Sequence, residues 1–224
     1  MLPVRRRGLA LPLSAAQLVA IWAYVLTSAL FFIIAQPHAL PAWALGSIGA
    51  LCFVVVACFL FVSLVDPMQD PTPLEARLLG PLRCFDPATS TSRFVRDATY
   101  CSWCRKMVPG MDHHCPWLNT CVGSRNYALF YALSVATTLQ FAGQCVAGAL
   151  VAATRHPQPP VAAALLWGHN ALAVILFGLL GSLFLFHSLL IHRNISTMDM
   201  ILEYRSGTLR LGSTIKVAPT NDPI

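Results

Sequence analysis

Four stretches of the chain, residues 14–35, 43–65, 127–154 and 161–191, are almost free of charge. Each is long enough to cross a hydrocarbon layer of about 30 Å as a helix of about 20 residues. Backbone polar groups in lipid find no water, so a spanning segment must satisfy its own hydrogen bonds, and a helix does so within one segment. The composition agrees, because 56% of the 224 residues are hydrophobic and 11% are charged, far from soluble norms. The connectors "QPHALPA" and "RHPQPP" are short and proline-rich. Proline ends helices by removing a donor and clashing with the preceding turn, so each pair of stretches reads as a tight hairpin. The expected fold class is an all-α multi-pass membrane protein.

Around the hairpins at 14–65 and 127–191 lie an N-terminal tail at 1–13, a polar segment at 66–126 and a C-terminal tail at 192–224. With four crossings these three polar regions share one side. They carry three, seven and four Lys or Arg residues, against Arg155 alone in the two connectors, so the positive-inside rule places them in the cytosol. Arg5, Arg6 and Arg7 before an apolar run imitate a signal peptide. The run exceeds the usual core of about 7–15 residues and no small-x-small cleavage site follows, so it reads as an anchor. The formal charge of +6 is spread thinly, without a basic stripe interleaved with aromatics, which excludes a nucleic-acid partner. His169, Asn170 and His187 interrupt the fourth stretch. Such residues serve ion or proton paths, as in a metal or proton transporter, or hydrogen-bond neighbouring helices, and the absence of acidic partners favours the second use.

Of eight cysteines, Cys52, Cys58 and Cys145 lie in apolar stretches, Cys84 stands alone, and Cys101, Cys104, Cys115 and Cys121 share the polar segment. That grouping suits a metal site in a reducing compartment better than a disulfide framework. Cys101-x2-Cys104 turns two thiolates toward one ion, and a second pair must come from His113, His114, Cys115 and Cys121. A structural zinc takes four ligands, so six candidates leave two over. A thiolate beside an imidazole is a nucleophile and base pair, and Asp112 is placed to orient that imidazole. Spacing does not say which residues bind and which react. Four cysteine ligands with two spare histidines, a purely structural ribbon, fit it equally.

The run Asp112-His113-His114-Cys115-Pro116-Trp117 resembles the signature of the DHHC-type protein S-acyltransferases, or palmitoyltransferases. Cys101-x2-Cys104 before it, Cys121 after it and "CVGSRNY" entering a membrane helix are similar to the family as well. Asp66-Pro67 resembles the start of the family's Asp-Pro-Gly motif, and Ser196-Thr197-Met198-Asp199 resembles its Thr-Thr-x-Glu motif. The resemblance implies Cys115 as nucleophile, His113 as its base and Asp112 as the orienter of His113. It implies Cys101, Cys104, His114 and Cys121 as ligands of one zinc ion. The family usually carries a second zinc site, for which this chain has Tyr100 and Met107 at two ligand positions and only Cys84 upstream. Met68 also replaces the glycine of the first motif, and Asp199 is one methylene shorter than the glutamate of the second. These departures keep a second function in view, a catalytically inactive zinc-binding membrane adaptor.

The implied reaction moves a long acyl chain, palmitoyl by family habit, from acyl-CoA to cysteines of substrate proteins through an acyl-enzyme on Cys115. Expected partners are long-chain acyl-CoA, the lipid bilayer, and cytosolic or membrane proteins with cysteines close to the membrane. The expected location is an endomembrane, endoplasmic reticulum or Golgi, or the plasma membrane. Arg105, Lys106 and Arg125 are the candidates to meet the phosphates of CoA, although charges beside a membrane commonly face water or headgroups. Gly143, Ala147, Gly178 and Gly181 offer room for an acyl tail, whose burial yields about 0.8 kcal/mol per methylene, or else close helix packing. Asn194-Ile195-Ser196 is a formal glycosylation sequon on the cytosolic side of this topology. Protein made in glycosylating cells should therefore show no mobility shift at Asn194 on glycosidase treatment, and a glycan there would invert the topology.

Overall fold

The computed structural model describes residues 4–35, 40–69, 72–73, 98–154 and 159–206; Cys84, Arg155 and the tail beyond 206 lie outside them. Among the described residues there are four long helices, α1 (Ala15–Ile34), α2 (Ala42–Leu64), α3 (Tyr127–Thr154) and α4 (Pro160–Arg193). Between α2 and α3 come four short strands, β1 (Ala98–Cys101), β2 (Lys106–Pro109), β3 (His113–Cys115) and β4 (Thr120–Val122). A short helix, α5 (Thr197–Arg205), follows α4.

Local chemistry accounts for the helix ends. Ser14 caps α1 by accepting from the Gln17 N–H, Pro41 and Pro159 precede α2 and α4, and Asn194 closes α4 in the left-handed region at φ 53°. Helix α3 packs chiefly on α4 and α2, and α1 lies on α4. The bundle is apolar outside, and polar side chains share its interior with an apolar core. Gln17, Gln140 and Gln144 are fully buried, whereas Phe53 is 76% and Trp43 75% exposed. In water that arrangement would be costly, but in lipid the apolar exterior is solvated by acyl chains, and interior polar groups join helices. Tyr24 donates to Gln140 Oε1 at 2.8 Å and Gln140 to Ser28 Oγ at 3.1 Å, tying α1 to α3. All four helices have the length and composition of membrane spans, and the protein is a multi-pass membrane protein. The small residues expected to shape one groove do not share one surface. Gly143 packs against Ile48 and Ala147 is buried in the core, while Gly178 is exposed with open space beside it.

The four strands form two antiparallel hairpins, β1 with β2 and β3 with β4. The first places Tyr100 directly opposite Met107, so the two positions that depart from the family's second zinc site face each other as an apolar cross-strand pair. The hairpins stack closely enough that a Cβ on Gly123 would press into Val108 and the Pro109 carbonyl. The N-terminal strap, residues 5–14, binds this unit to the bundle. The Arg5 N–H donates to the Cys104 carbonyl, Gly8 N–H to Ser63, Asn119 Nδ2 to the Gly8 carbonyl, and Ser14 Oγ to Pro116. A Cβ on Gly8 would collide with the Leu118 carbonyl oxygen, which fixes glycine at that crossing.

One ion pair seals the junction. Lys106 Nζ, on β2, lies 2.9 Å from Asp66 Oδ1 just past α2 and donates to the Arg6 carbonyl at 2.9 Å, and both side chains are buried. Removing one partner leaves an uncompensated charge, which costs about 3–5 kcal/mol, whereas exchanging both for apolar residues costs far less. Lys106→Met should therefore lower the thermal midpoint of the detergent-solubilised protein markedly, and Asp66→Leu added to it should recover much of the loss.

Candidate active site and metal centre

A strand presents successive side chains to opposite faces, so within His113-His114-Cys115 the first and third share a face and the second takes the other. His114 stands opposite Cys121 in the β3–β4 register and points toward Cys101 and Cys104. Cys115 belongs to an apolar cluster with Val62 of α2 and Tyr127 and Phe130 of α3. His113 lies edge-on to Phe130, with ring centroids 5.3 Å apart.

On the His114 side, one donor atom from each of Cys101, Cys104, His114 and Cys121 lies within 4.8 Å of the others. His114 Nδ1 is 3.8, 3.4 and 3.8 Å from the sulfurs of Cys101, Cys104 and Cys121. A tetrahedral ion bound at about 2.3 Å to sulfur and about 2.05 Å to nitrogen requires S···N edges of about 3.6 Å, so the donors fit such an ion. Their electrostatics point the same way. Cys104 is held down to about 4, first by its hydrogen bond from Cys121 and against the opposing effect of burial, with help from His114 and Lys106. Cys121 is pushed up by its bond to Cys104, by burial and by the charges on Cys104 and Cys101. Thiolates this close repel one another, and a central dication removes the conflict. The turn is shaped for the task, with the Cys104 N–H donating to Cys101 Sγ at 3.4 Å and Arg105 in the left-handed region at φ 57°. Trp103 stacks on the His114 ring at 5.9 Å and 15°.

On the other side, His113 Nδ1 is 2.6 Å from Asp112 Oδ2, and Asp112 is 1% exposed. Burial opposes ionisation of Asp112, but bonds from His113 and Thr197 outweigh it and hold the carboxyl below its ordinary value. Burial likewise opposes the His113 imidazolium, and its interactions with Asp112 and Cys115 overcome this, raising it to about 9. Thr197, the first residue of α5, donates its N–H to Asp112 Oδ1 at 2.8 Å and its hydroxyl to Oδ2 at 2.7 Å. The carboxylate thus joins the cysteine-rich unit to the end of the second hairpin. Asp199 closes a capping box with Ser196, at 2.8 Å from its N–H, and so shapes the turn that presents Thr197.

The three basic residues expected at CoA separate. Arg105 is exposed, Lys106 is buried in its ion pair with Asp66, and half-buried Arg125 donates to the Asp66 carbonyl at 2.9 Å and to Gln69 at 3.3 Å. Lys106 is therefore withdrawn from the surface, because the low-dielectric junction supplies it with a carboxylate and a carbonyl. His169 and His187 also part company. The first packs on Phe31 and beside Asn170, whereas the second lies against His113 and Phe130, so they do not form one intramembrane ion site. In the sequence His187 is a polar interruption of an apolar run, open to an ion path or an interhelical hydrogen bond, and nothing there points to His113 as its neighbour.

The DHHC palmitoyltransferase family profile matches residues 88–203, more than half of the chain. The chain belongs to the DHHC palmitoyltransferase family. The palmitoyltransferase ZDHHC8 of Drosophila melanogaster is 29% identical over 180 residues, which are 71% of this chain and 19% of that protein. The palmitoyltransferase ZDHHC18-B of Danio rerio is 31% identical over 143 residues, 50% of this chain and 37% of the relative. The palmitoyltransferase pfa3 of Emericella nidulans reaches 55% identity over 60 residues, 23% of this chain and 12% of the relative. The chain thus spans well under two thirds of the length of these DHHC relatives. Metal content separates the two faces of the site. Cys104→Ser or His114→Ala should sharply lower the metal bound per chain, and Cys115→Ser should leave it unchanged, as read by elemental mass spectrometry on the purified proteins.

Proposed function

We propose that this DHHC protein is a protein-cysteine S-acyltransferase that moves a long acyl chain, palmitoyl in the first instance, from acyl-CoA to cysteines of substrate proteins. The observation that carries the reading is the alternation in β3. It sets Cys115 with His113 on the bundle side, and His114 with three cysteines on the other. In this reading Cys101, Cys104, His114 and Cys121 would hold one zinc ion, which when bound would tie the two hairpins together and fix the face that presents Cys115.

The chemistry then falls to three residues. His113, oriented by Asp112 and with its pKa raised to about 9, holds the proton of the Cys115 thiol as the imidazolium of an ion pair, and the thiolate attacks the thioester carbonyl of acyl-CoA. The tetrahedral intermediate collapses with loss of the CoA sulfur, which takes the proton back from His113. A substrate cysteine next gives its proton to His113 and attacks the acyl-enzyme, and Cys115 leaves as the thiol. Two thioesters are exchanged, with no net change in charge or oxidation state.

Placement supports this reading. Cys115 touches Val62 near the end of α2 and Tyr127 at the start of α3, so its sulfur sits where the spans meet the polar segment. A thiol there meets an acyl chain dissolved in lipid and a CoA head in water. The Lys and Arg distribution supports a cytosolic setting for this face, the side on which acyl-CoA and juxtamembrane substrate cysteines would be met. Exposed Arg105 is retained as a contact for the CoA phosphates.

An inactive zinc-binding adaptor is the second reading, favoured by the Tyr100–Met107 pair in place of two ligands. Incubation of the purified protein with labelled palmitoyl-CoA decides between them. The enzyme reading expects an adduct that hydroxylamine removes and that Cys115→Ser abolishes; Asp112→Asn should slow it by about 10²-fold or more. Bound zinc with no adduct would establish the adaptor, and a normal adduct on Cys115→Ser would exclude that residue as nucleophile.

A further inference from the structure

His187 has no place in the scheme above, yet it is 2% exposed and sits against His113. Its Nδ1 is 2.8 Å from the Tyr127 hydroxyl at the start of α3. Its ring centroid is 5.7 Å from that of His113 and 4.8 Å from that of Phe130. One of its ring nitrogens lies within 4.8 Å of a carboxylate oxygen of Asp112 and a ring nitrogen of His113. Apolar packing does not call for an imidazole here. Phe130 and Phe186 both meet the ring edge-on, and a phenylalanine would fill the same space without desolvating a polar group.

The bond between His113 and Asp112 fixes one nitrogen of His113 and leaves the ring free to turn about that contact. Turning is limited by the rings against it, Phe130 at 70° and His187 at 37° to its plane. Of these walls only His187 is polar, and it is itself tied to α3 by the Tyr127 hydroxyl. A polar ring beside His113 also tolerates the imidazolium that forms when Cys115 gives up its proton, which a hydrocarbon ring does less well.

We propose that His187, held by Tyr127, is a positioning residue that keeps the His113 ring in the plane that addresses Cys115. The inference rests on the acyltransfer reading for its consequence and on the side-chain geometry for its cause. Helices α3 and α4 then take a direct part in setting the base, beyond carrying the cysteine-rich unit at the membrane. His187 touches neither zinc ligand nor, in this scheme, acyl-CoA, so its loss should appear in the rate of the covalent step and spare the affinity for acyl-CoA.

The test uses the full chain in detergent and two readouts on Cys115, single-turnover formation of the palmitoyl adduct and alkylation by iodoacetamide, with metal content and thermal midpoint as controls. His187→Phe should slow adduct formation by about tenfold or more, the range typical of second-layer residues. KM for palmitoyl-CoA and metal per chain should stay at wild-type values, and alkylation should slow as well. His187→Asn, which keeps a polar atom near the Nδ1 position, should regain part of the rate, and Tyr127→Phe should show a smaller loss. Wild-type rates in His187→Phe, or losses that track the fraction of folded, metal-bound protein, would overturn the proposal. If His187→Phe does not fold, Tyr127→Phe decides in the same terms. Should the wild type form no adduct while its alkylation still depends on His187, the acyltransfer reading falls and the positioning role stands. An adduct and an alkylation rate that both ignore His187 sink the positioning role alone.

Discussion

Adjacent residues of a strand cannot face the same way, and β3 applies that rule to three consecutive residues able to bind metal or react. His114 goes to the sulfur cluster, and His113 and Cys115 go to the end of the bundle. A helix at the same place would spread the three side chains by about 100° each and mix the two sets. Pairing with β4 holds β3 extended, and it also sets Cys121 opposite His114, so one register serves the metal cluster and the proposed reactive pair. The rest of the architecture brings these two faces to the membrane boundary and keeps them there.

Several independent ties do that, and they differ in kind. Apolar contact seats Cys115 and Leu118 on Val62, Tyr127 and Phe130. A buried charge pair locks β2 to the end of α2. Charge-assisted hydrogen bonds join Asp112 to the start of α5. In the proposed reaction the last is also part of the chemistry, because the same carboxylate bonds His113 Nδ1. Strain or loss at the end of the second hairpin therefore reaches His113 through one residue, and the capping box of Ser196 and Asp199 keeps that connection in shape.

The four spans are legible in the sequence because a run of about 20 apolar residues has few other uses. Their ends are legible to within a few residues, since serine, proline and asparagine mark them chemically. The hairpins are not, because strands of three or four residues are too short to show alternation and their pattern is set by metal-binding side chains. The surplus of donors is visible in "MDHHCPWLNTC", but the division needs the β3 register or the family resemblance. Lys106 deceives because its partner Asp66 is 40 residues upstream, and a basic residue near a membrane ordinarily faces water or headgroups. His187 is similarly opaque, since its neighbours Tyr127 and His113 lie on other elements.

The strap at residues 5–14 carries an implication for how the chain is made. Apart from Ser63, its partners Cys104, Lys106, Pro116 and Asn119 lie roughly a hundred positions later, so during synthesis this segment leaves the ribosome long before most of what it grips exists. The first pair of spans enters the bilayer with the strap held by Ser63 alone, and full closure waits for translation to pass the β3–β4 hairpin. Gly8 keeps that late crossing passable, since any side chain there would have to be forced past the Leu118 backbone at the moment of closing.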